Sequence, residues 1–499
     1  MSTLTSVLQP SSKTDPAVIV PDGPVETYQG LEAQIERIAE ELTAAGIQRG
    51  RPVSIVLGNN LEFLVTFLGV ARAGAIAAPL NPAYTTDEFS FYMGDAKAQF
   101  AIVGADSAQA VEAARGLSVP VMTAALDDRG QTRIARDGAV LSARKTAPAP
   151  GPDDVALFLH TSGTTSRPKG VPLTHANLMA SLANICRTYV LTPDDVSLIV
   201  MPLFHVHGLL GATLSTLHSG GAVVVPPRFS ASRFWPVQSE TRATWYSAVP
   251  TIHQTLLLRA DSDGAPRKSF RFIRSCSSAL VPAVFEQLEA RFGAPVLEAY
   301  GMTEASHQMS SNPLPPGQRL AGTVGRGTGV SISIMDEKGT LQPAGARGEV
   351  VIKGPNVTHG YANNPKANAD SFVDGWFRTG DQGVIDDRGY LTLTGRIKEL
   401  INRAGEKIAP LEVDAVLLRH PAVAEAVCFP CPDAKYGEVV HAAVVLKGVA
   451  TPDEIQTFCR EHLAAFKVPE RVFVTDKLPR TATGKIQRRH VAAAFNPRA

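Results

Sequence analysis

The sequence predicts an α/β protein: a large N-terminal domain of two stacked α/β subdomains plus a β-rich subdomain, followed by a small α+β C-terminal domain. Three observations lead there. The chain has 499 residues, more than one hydrophobic core organises, so at least two domains are expected. One phrase, a helix broken by glycine and followed by a short apolar strand closed by proline, occurs twice. After about residue 325 the pattern changes to alternating strands and turns, and the last hundred or so residues have the size of an autonomous unit.

In chain order, the first phrase is LVTFLGVARAGAIAAPLNP, Leu64 to Pro82, with its break at Gly74. Phe63 to Leu80 is the most membrane-like stretch, yet Arg72, Gly69, Gly74 and Pro79 suit a buried helix turning into a strand. The apolar run Val155 to Leu159 then leads into HTSGTTSRPKG, residues 160–170. The second phrase, LSTLHSGGAVVVPPR from Leu214 to Arg228, breaks at Gly220 and Gly221. Helices alternating with wholly apolar strands indicate parallel sheets covered on both faces. VSISIMDEKGT, GEVVIKG and GWFRTGDQGVIDDRGYLTLTG make the β-rich subdomain. The terminal unit runs through helix-compatible LEVDAVLLRHP, strands AVAEAVCFP and VVHAAVVLK, helix EIQTFCREHL and a glycine-containing basic loop. Its boundary near Gly395 to Lys398 divides the chain into 1–395 and 396–499.

Lys plus Arg number 48 against 47 acids. No bulk field draws nucleic acid or a membrane, so neither is an expected partner, and an anionic ligand needs a local site. The opening MSTLTSVLQPSSKTD lacks a basic cluster and an apolar core of signal-peptide length, and AFNPRA is no peroxisomal address of the Ser-Lys-Leu type. A cytoplasmic protein is expected, monomer or homodimer. Five cysteines give no disulfide framework, and Cys428 with Cys431 has no second pair or nearby histidine, which favours packed side chains over metal.

HTSGTTSRPKG is not a Walker loop, because Pro168 precedes Lys169 and Gly170 follows it. What remains is a turn at Gly163 whose neighbours Thr161, Ser162, Thr164 and Thr165 offer donors, with Lys169 as a point charge. Such density suits phosphate oxygens, or else a solvated Ser/Thr-rich loop. TSGTTSRPKG resembles the signature loop of the adenylate-forming superfamily of acyl-CoA synthetases, luciferases and adenylation domains. The resemblance continues in order through PLFHVHG, YGMTE, GEVVIKGPNVTHGY, GWFRTGD, GRIKELI and PRTATGKI.

The resemblance implies ATP, Mg²⁺ and coenzyme A as cofactor and cosubstrates, and a carboxylate activated as acyl-AMP by positioning and positive charge rather than by a protein nucleophile. It places Glu304 on Mg²⁺ with Thr165 beside it, and Thr303 on the α-phosphate or the activated carbonyl oxygen. Ser277, Ser278, Ala279 and Tyr300 line the adenine pocket, and Asp381 with Arg396 takes the ribose hydroxyls, although those two side chains could equally form a structural ion pair. Lys485 bridges the substrate carboxylate and the α-phosphate. The small domain is mobile about Lys398 and brings the Gly405 loop forward for the thioester step. Asn402, Ala404 and Ser166 depart from the usual pattern.

His205 and His207 alternate in PLFHVHG and share one side if that segment is extended. The resemblance implies that His205 faces the acyl group, with His307 on another wall and Ser277 and Ser278 at the floor, and such histidines and hydroxyls make a small polar pocket suited to a second carboxylate. SCSSAL and YGMTEASHQM resemble oxalate-CoA ligases, which share HVHG with malonyl-CoA synthetases. Oxalate is the expected small carboxylic acid. The alternatives are malonate, another small acid including a hydroxycinnamate, acyl transfer to a carrier protein, or a non-catalytic nucleotide-binding module.

Overall fold

The structure, a computed structural model, describes residues 2–161, 168–480 and 486–495. Four sheets organise them. The first has a parallel centre, in spatial order Val155–Thr161, Ile76–Pro79, Pro52–Val56, Phe100–Val103 and Val121–Leu126. The second has a parallel centre running from Val296–Met302 through Phe272–Ser275, Trp245–Ala248, Val196–Leu198 and Ala222–Val224 to Pro16–Ile19. Both are closed by antiparallel edges, which the all-parallel expectation lacked: hairpins need only short loops, whereas each parallel step requires a crossover.

The two repeated phrases occupy equivalent places in these sheets. Helix Leu61–Arg72 starts where the Asn60 side chain accepts the Phe63 N–H, and every residue from Phe63 to Ala71 is buried. It is packed on all sides, which explains its membrane-like composition. Gly69 is required because an added methyl would sit 2.7 Å from Ile38 of the neighbouring helix Tyr28–Ala44. Gly74, at φ +73°, then turns the chain into its strand. One apolar core joins both sheets, taking Phe63, Leu64 and Phe67 from one phrase and Leu209, Leu214 and Leu217 from the region of the other. The Tyr28 hydroxyl ties them further, donating to the carbonyls of Leu217 and Gly221 at 3.1 and 2.7 Å.

The β-rich part is an antiparallel sheet built on Arg347–Lys353 and Trp376–Ile385, ending with Leu391–Arg396. A single turn, Ile397–Glu399, separates it from the last sheet, which begins at Ile401–Arg403 and has its own core of Ile401, Val413, Cys428, Val440 and Ile455. Cys428 is packed there, its thiol donating to the Pro410 carbonyl. Among the described residues no helix is long and apolar enough to cross a membrane.

Candidate active site

A cavity of about 2370 Å³ lies where the four sheets meet. That is more than one drug-sized ligand needs, and room enough for a nucleotide and an acid together. Thr161, Lys169, His205, Ser277, Ser278 and Ala279 line it, as do Tyr300, Thr303, Glu304, His307, Asp381, Arg396 and Lys398. Ser162, Gly163, Thr164, Thr165, Ser166 and Lys485 lie outside the described residues; Ile486, next after Lys485, lines the cavity. Gly405 does not line it.

On one wall, strand Val296–Met302 delivers Tyr300, whose hydroxyl donates to Asp381 Oδ2. Burial, reinforced by Asp381, holds that hydroxyl far above its usual range, so Tyr300 remains a donor. Asp381 and Arg396 stand opposite each other in the ladder, with Arg396 Nε 3.1 Å from Asp381 Oδ1. The ion pair is therefore present, and it borders the cavity. Glu298, two residues before Tyr300, faces the same wall unannounced by any motif. Its Oε1 accepts the Leu280 N–H at 2.8 Å, its Oε2 has no partner among the described residues, and burial pushes its carboxyl up to about 8.

A second wall collects charge. Lys169 stands opposite Thr161 in the hairpin of Val155–Thr161 with Lys169–Thr174. Its Nζ lies 4.1 Å from the centre of the Tyr361 ring, whose hydroxyl donates to Glu304 Oε1 at 2.8 Å. Tyr361 is placed by Thr358, which donates from its hydroxyl to the Pro172 carbonyl at 2.8 Å and from its N–H to the Glu304 carbonyl at 2.7 Å. Tyr361 closes the GPNVTHGY string, and that aromatic end was the signal available for it. Burial raises the Glu304 carboxyl, against the pull of Tyr361, Arg396 and Lys169. Burial also lowers the Lys169 amine; Glu304 opposes this and the nearby Lys398 adds to it. Two lysines and an arginine thus face one buried acid across open space, a donor set suited to phosphate oxygens and a hard cation.

The third wall corrects the expectation about PLFHVHG. The segment is extended only as far as His205; Val206–Gly208 begins a helical turn, and His205 Nδ1 accepts the His207 N–H. The two side chains therefore do not share a side. His205 lines the cavity, while His207 is wholly buried, bonded to Ser277 Oγ at 3.0 Å and Ser247 Oγ at 2.7 Å. His207 and His307 stack with ring centres 5.3 Å apart. His307 (φ +94°), Ser306 (φ +48°) and Ser277 (φ +75°) all carry left-handed backbone, strain that clusters where side chains must be aimed. Gly211 makes room for the ring: an added methyl would lie 2.3 Å from His307 Nε2. Behind this wall is Arg274, fully buried and absent from every motif.

In the small unit, Ala404 adopts φ +52° and Gly405 φ +96°, and the Asn402 side chain accepts the Gly405 N–H at 3.1 Å. The unusual Asn402 thus pins the turn that the unusual alanine strains.

The AMP-binding enzyme family matches residues 9–362, and the AMP-binding enzyme C-terminal domain matches residues 412–485. The chain is 53% identical to an oxalate-CoA ligase of Arabidopsis thaliana, covering 94% of this chain and 93% of that one. It is 47% identical to an oxalate-CoA ligase of Saccharomyces cerevisiae, covering 96% and 94%. Among solved structures it resembles ATP-bound MatB from Rhodopseudomonas palustris, with a TM-score of 0.89 and 32% identity over 99% of both chains. The chain belongs to the AMP-binding enzyme family.

Proposed function

We propose that this protein is an AMP-forming ligase that joins oxalate to coenzyme A at the expense of ATP. The observation that carries the reading is the acyl wall: His205, Ser277 and His307 present small polar groups to the cavity, with His207 and a buried guanidinium behind them. A fatty-acyl tunnel would be apolar; this wall suits an acid with a second charge close to the first. The 53% identity to an oxalate-CoA ligase supports the same substrate.

In the first half-reaction an oxalate oxygen attacks the α-phosphorus of ATP and the bond to pyrophosphate breaks, giving oxalyl-AMP. Both reactants are anions, so positioning and positive charge do the catalysis. Asp381 and Arg396 hold the ribose, Tyr300 with Ser277, Ser278 and Ala279 flanks the adenine, and Thr161, the threonine-rich loop and Lys169 hold the phosphates. Glu304, with Thr165, would hold Mg²⁺, which when bound supplies charge neutralisation on the phosphates. Thr303 and Lys485 meet the charge developing at the α-phosphate. In the second half-reaction the coenzyme A sulfur attacks the acyl carbon as its proton leaves, and AMP departs. We place the hinge for the exchange at Lys398, in the single turn between the two sheets, with residues 396–499 moving as the small domain and the Gly405 loop replacing Lys485.

The test is ATP–pyrophosphate exchange with oxalate, malonate, acetate and a hydroxycinnamate, followed by AMP release with free coenzyme A or a pantetheinylated carrier as acceptor. Oxalate with free coenzyme A is expected to lead; a better rate for another acid or for the carrier overturns that half of the reading.

A further inference from the structure

Arg274 lies on strand Phe272–Ser275 at the centre of the second sheet and is fully buried. Its guanidinium donates to Tyr189 Oη at 2.8 Å, Ser247 Oγ at 2.9 Å, Gln308 Oε1 at 3.0 Å and His307 Nε2 at 2.9 Å. All four partners are neutral, and among the described residues no carboxylate pairs with it. Other arginines nearby or similarly enclosed are neutralised: Arg271, three residues earlier, pairs with Asp195 at 2.8 Å, and Arg488 pairs with Asp414 at 2.8 Å. An uncompensated buried charge costs several kcal/mol, so a fold that keeps one has a use for an anion beside it.

The hydrogen bonds leading away from Arg274 form a continuous donor chain to the cavity. Ser247 Oγ accepts from the guanidinium and, in that chain, gives its single hydroxyl proton to His207 Nε2. His207 Nε2 is then an acceptor, which places the ring proton on Nδ1, donating to Ser277 Oγ. Ser277 Oγ receives that proton, and its own hydroxyl proton is left to donate on the cavity side, where Ser277 sits. On the second branch, Arg274 occupies His307 Nε2, so the His307 proton also sits on Nδ1. A protonated His307 ring would set its Nε2 donor against the guanidinium.

We propose that Arg274 is a positioning residue for substrate selectivity: a buried cation, left without a counter-charge, which polarises the Ser247–His207–Ser277 relay and His307 so that donors face the second carboxylate of a dicarboxylic acid. This deepens the oxalate reading and rests on it. Arg274 does not touch the substrate; its charge is expressed through the polarity of hydrogen bonds that do.

Oxamate is the matched probe, since it keeps the reacting carboxylate and replaces the other by a neutral amide of the same shape. kcat/KM for oxalate and oxamate is measured in the wild type and in Arg274→Met, Arg274→Lys and Ser247→Ala. The oxalate-to-oxamate ratio is expected to fall about 30-fold in Arg274→Met, the scale of one hydrogen bond to a charged group. Arg274→Lys recovers part of it, and Ser247→Ala, which deletes one hydroxyl, gives an intermediate fall. Equal losses for both acids, or an unchanged ratio, overturn the proposal; if Arg274→Met does not fold, Ser247→Ala decides. A wild type that prefers malonate overturns the oxalate reading, and malonate with its half-amide then tests Arg274 in the same way. A wild type that prefers a monocarboxylate overturns both.

Discussion

Replacing Glu298 by glutamine changes how the protein's stability responds to pH. Glu298 is 2% exposed, accepts one backbone N–H and leaves Oε2 without a partner among the described residues, and burial lifts its carboxyl from 4.5 to about 8. The unfolded chain releases that proton near 4.5, whereas the native state holds it until about 8. The contribution is therefore fully present below 4.5 and is lost as pH rises through 8. Each pH unit in that window removes about 1.4 kcal/mol, and the whole window about 5 kcal/mol, the latter an order of magnitude. Glutamine keeps the acceptor for Leu280 and does not ionise. Thermal unfolding of both proteins from about pH 5 to pH 9 reads the difference, with each kcal/mol worth on the order of 1–2 °C in a chain of this length. The variant is expected to gain several degrees on the wild type across that range. Parallel pH profiles, or a wild type that gains on the variant toward pH 9, would refute a neutral Glu298.

Asp381→Asn removes the charge and one of the two carboxylate oxygens that serve Tyr300 and Arg396, and KM for ATP is expected to rise about 100-fold in pyrophosphate exchange, with a smaller change in the rate at saturating nucleotide. Tyr361→Phe leaves a buried Glu304 oxygen without its 2.8 Å partner, and exchange is expected to fall about 10-fold with more Mg²⁺ required for half-maximal rate; an unchanged Mg²⁺ dependence would detach Tyr361 from that site. Lys398→Pro fixes φ in the turn between the sheets, so acyl-CoA formation is expected to drop at least about 10-fold while exchange persists; equal loss of both would place the hinge elsewhere.

Much of the fold was legible because helix, glycine and strand follow local rules that the chain states twice. Gly74 and Gly220 both adopt positive φ where the two phrases break. The antiparallel edges were not legible, since a hairpin edge and a parallel centre strand can carry the same apolar run. Within the site, Tyr300, Glu304, Asp381 and Arg396 could be named from their motifs, and they surround one cavity. Arg274 and Glu298 could not, and Tyr361 closed a motif that gave it no role. An arginine in FIRS reads as a polar interruption of a strand, and its partners Tyr189, Ser247 and His307 lie 85, 27 and 33 residues away. The alternation in HVHG misled for a related reason: period two assigns a shared side only while the backbone stays extended, and here it turns helical after His205.

We propose that charge from two separately folded units converges on one phosphorus atom. The most direct measurement is oxalate-dependent ATP–pyrophosphate exchange in the wild type and in Lys485→Ala, with nucleotide affinity determined alongside. The expected result is a loss of about 100-fold or more in exchange with ATP binding little altered. Exchange at the wild-type rate in the variant would contradict it.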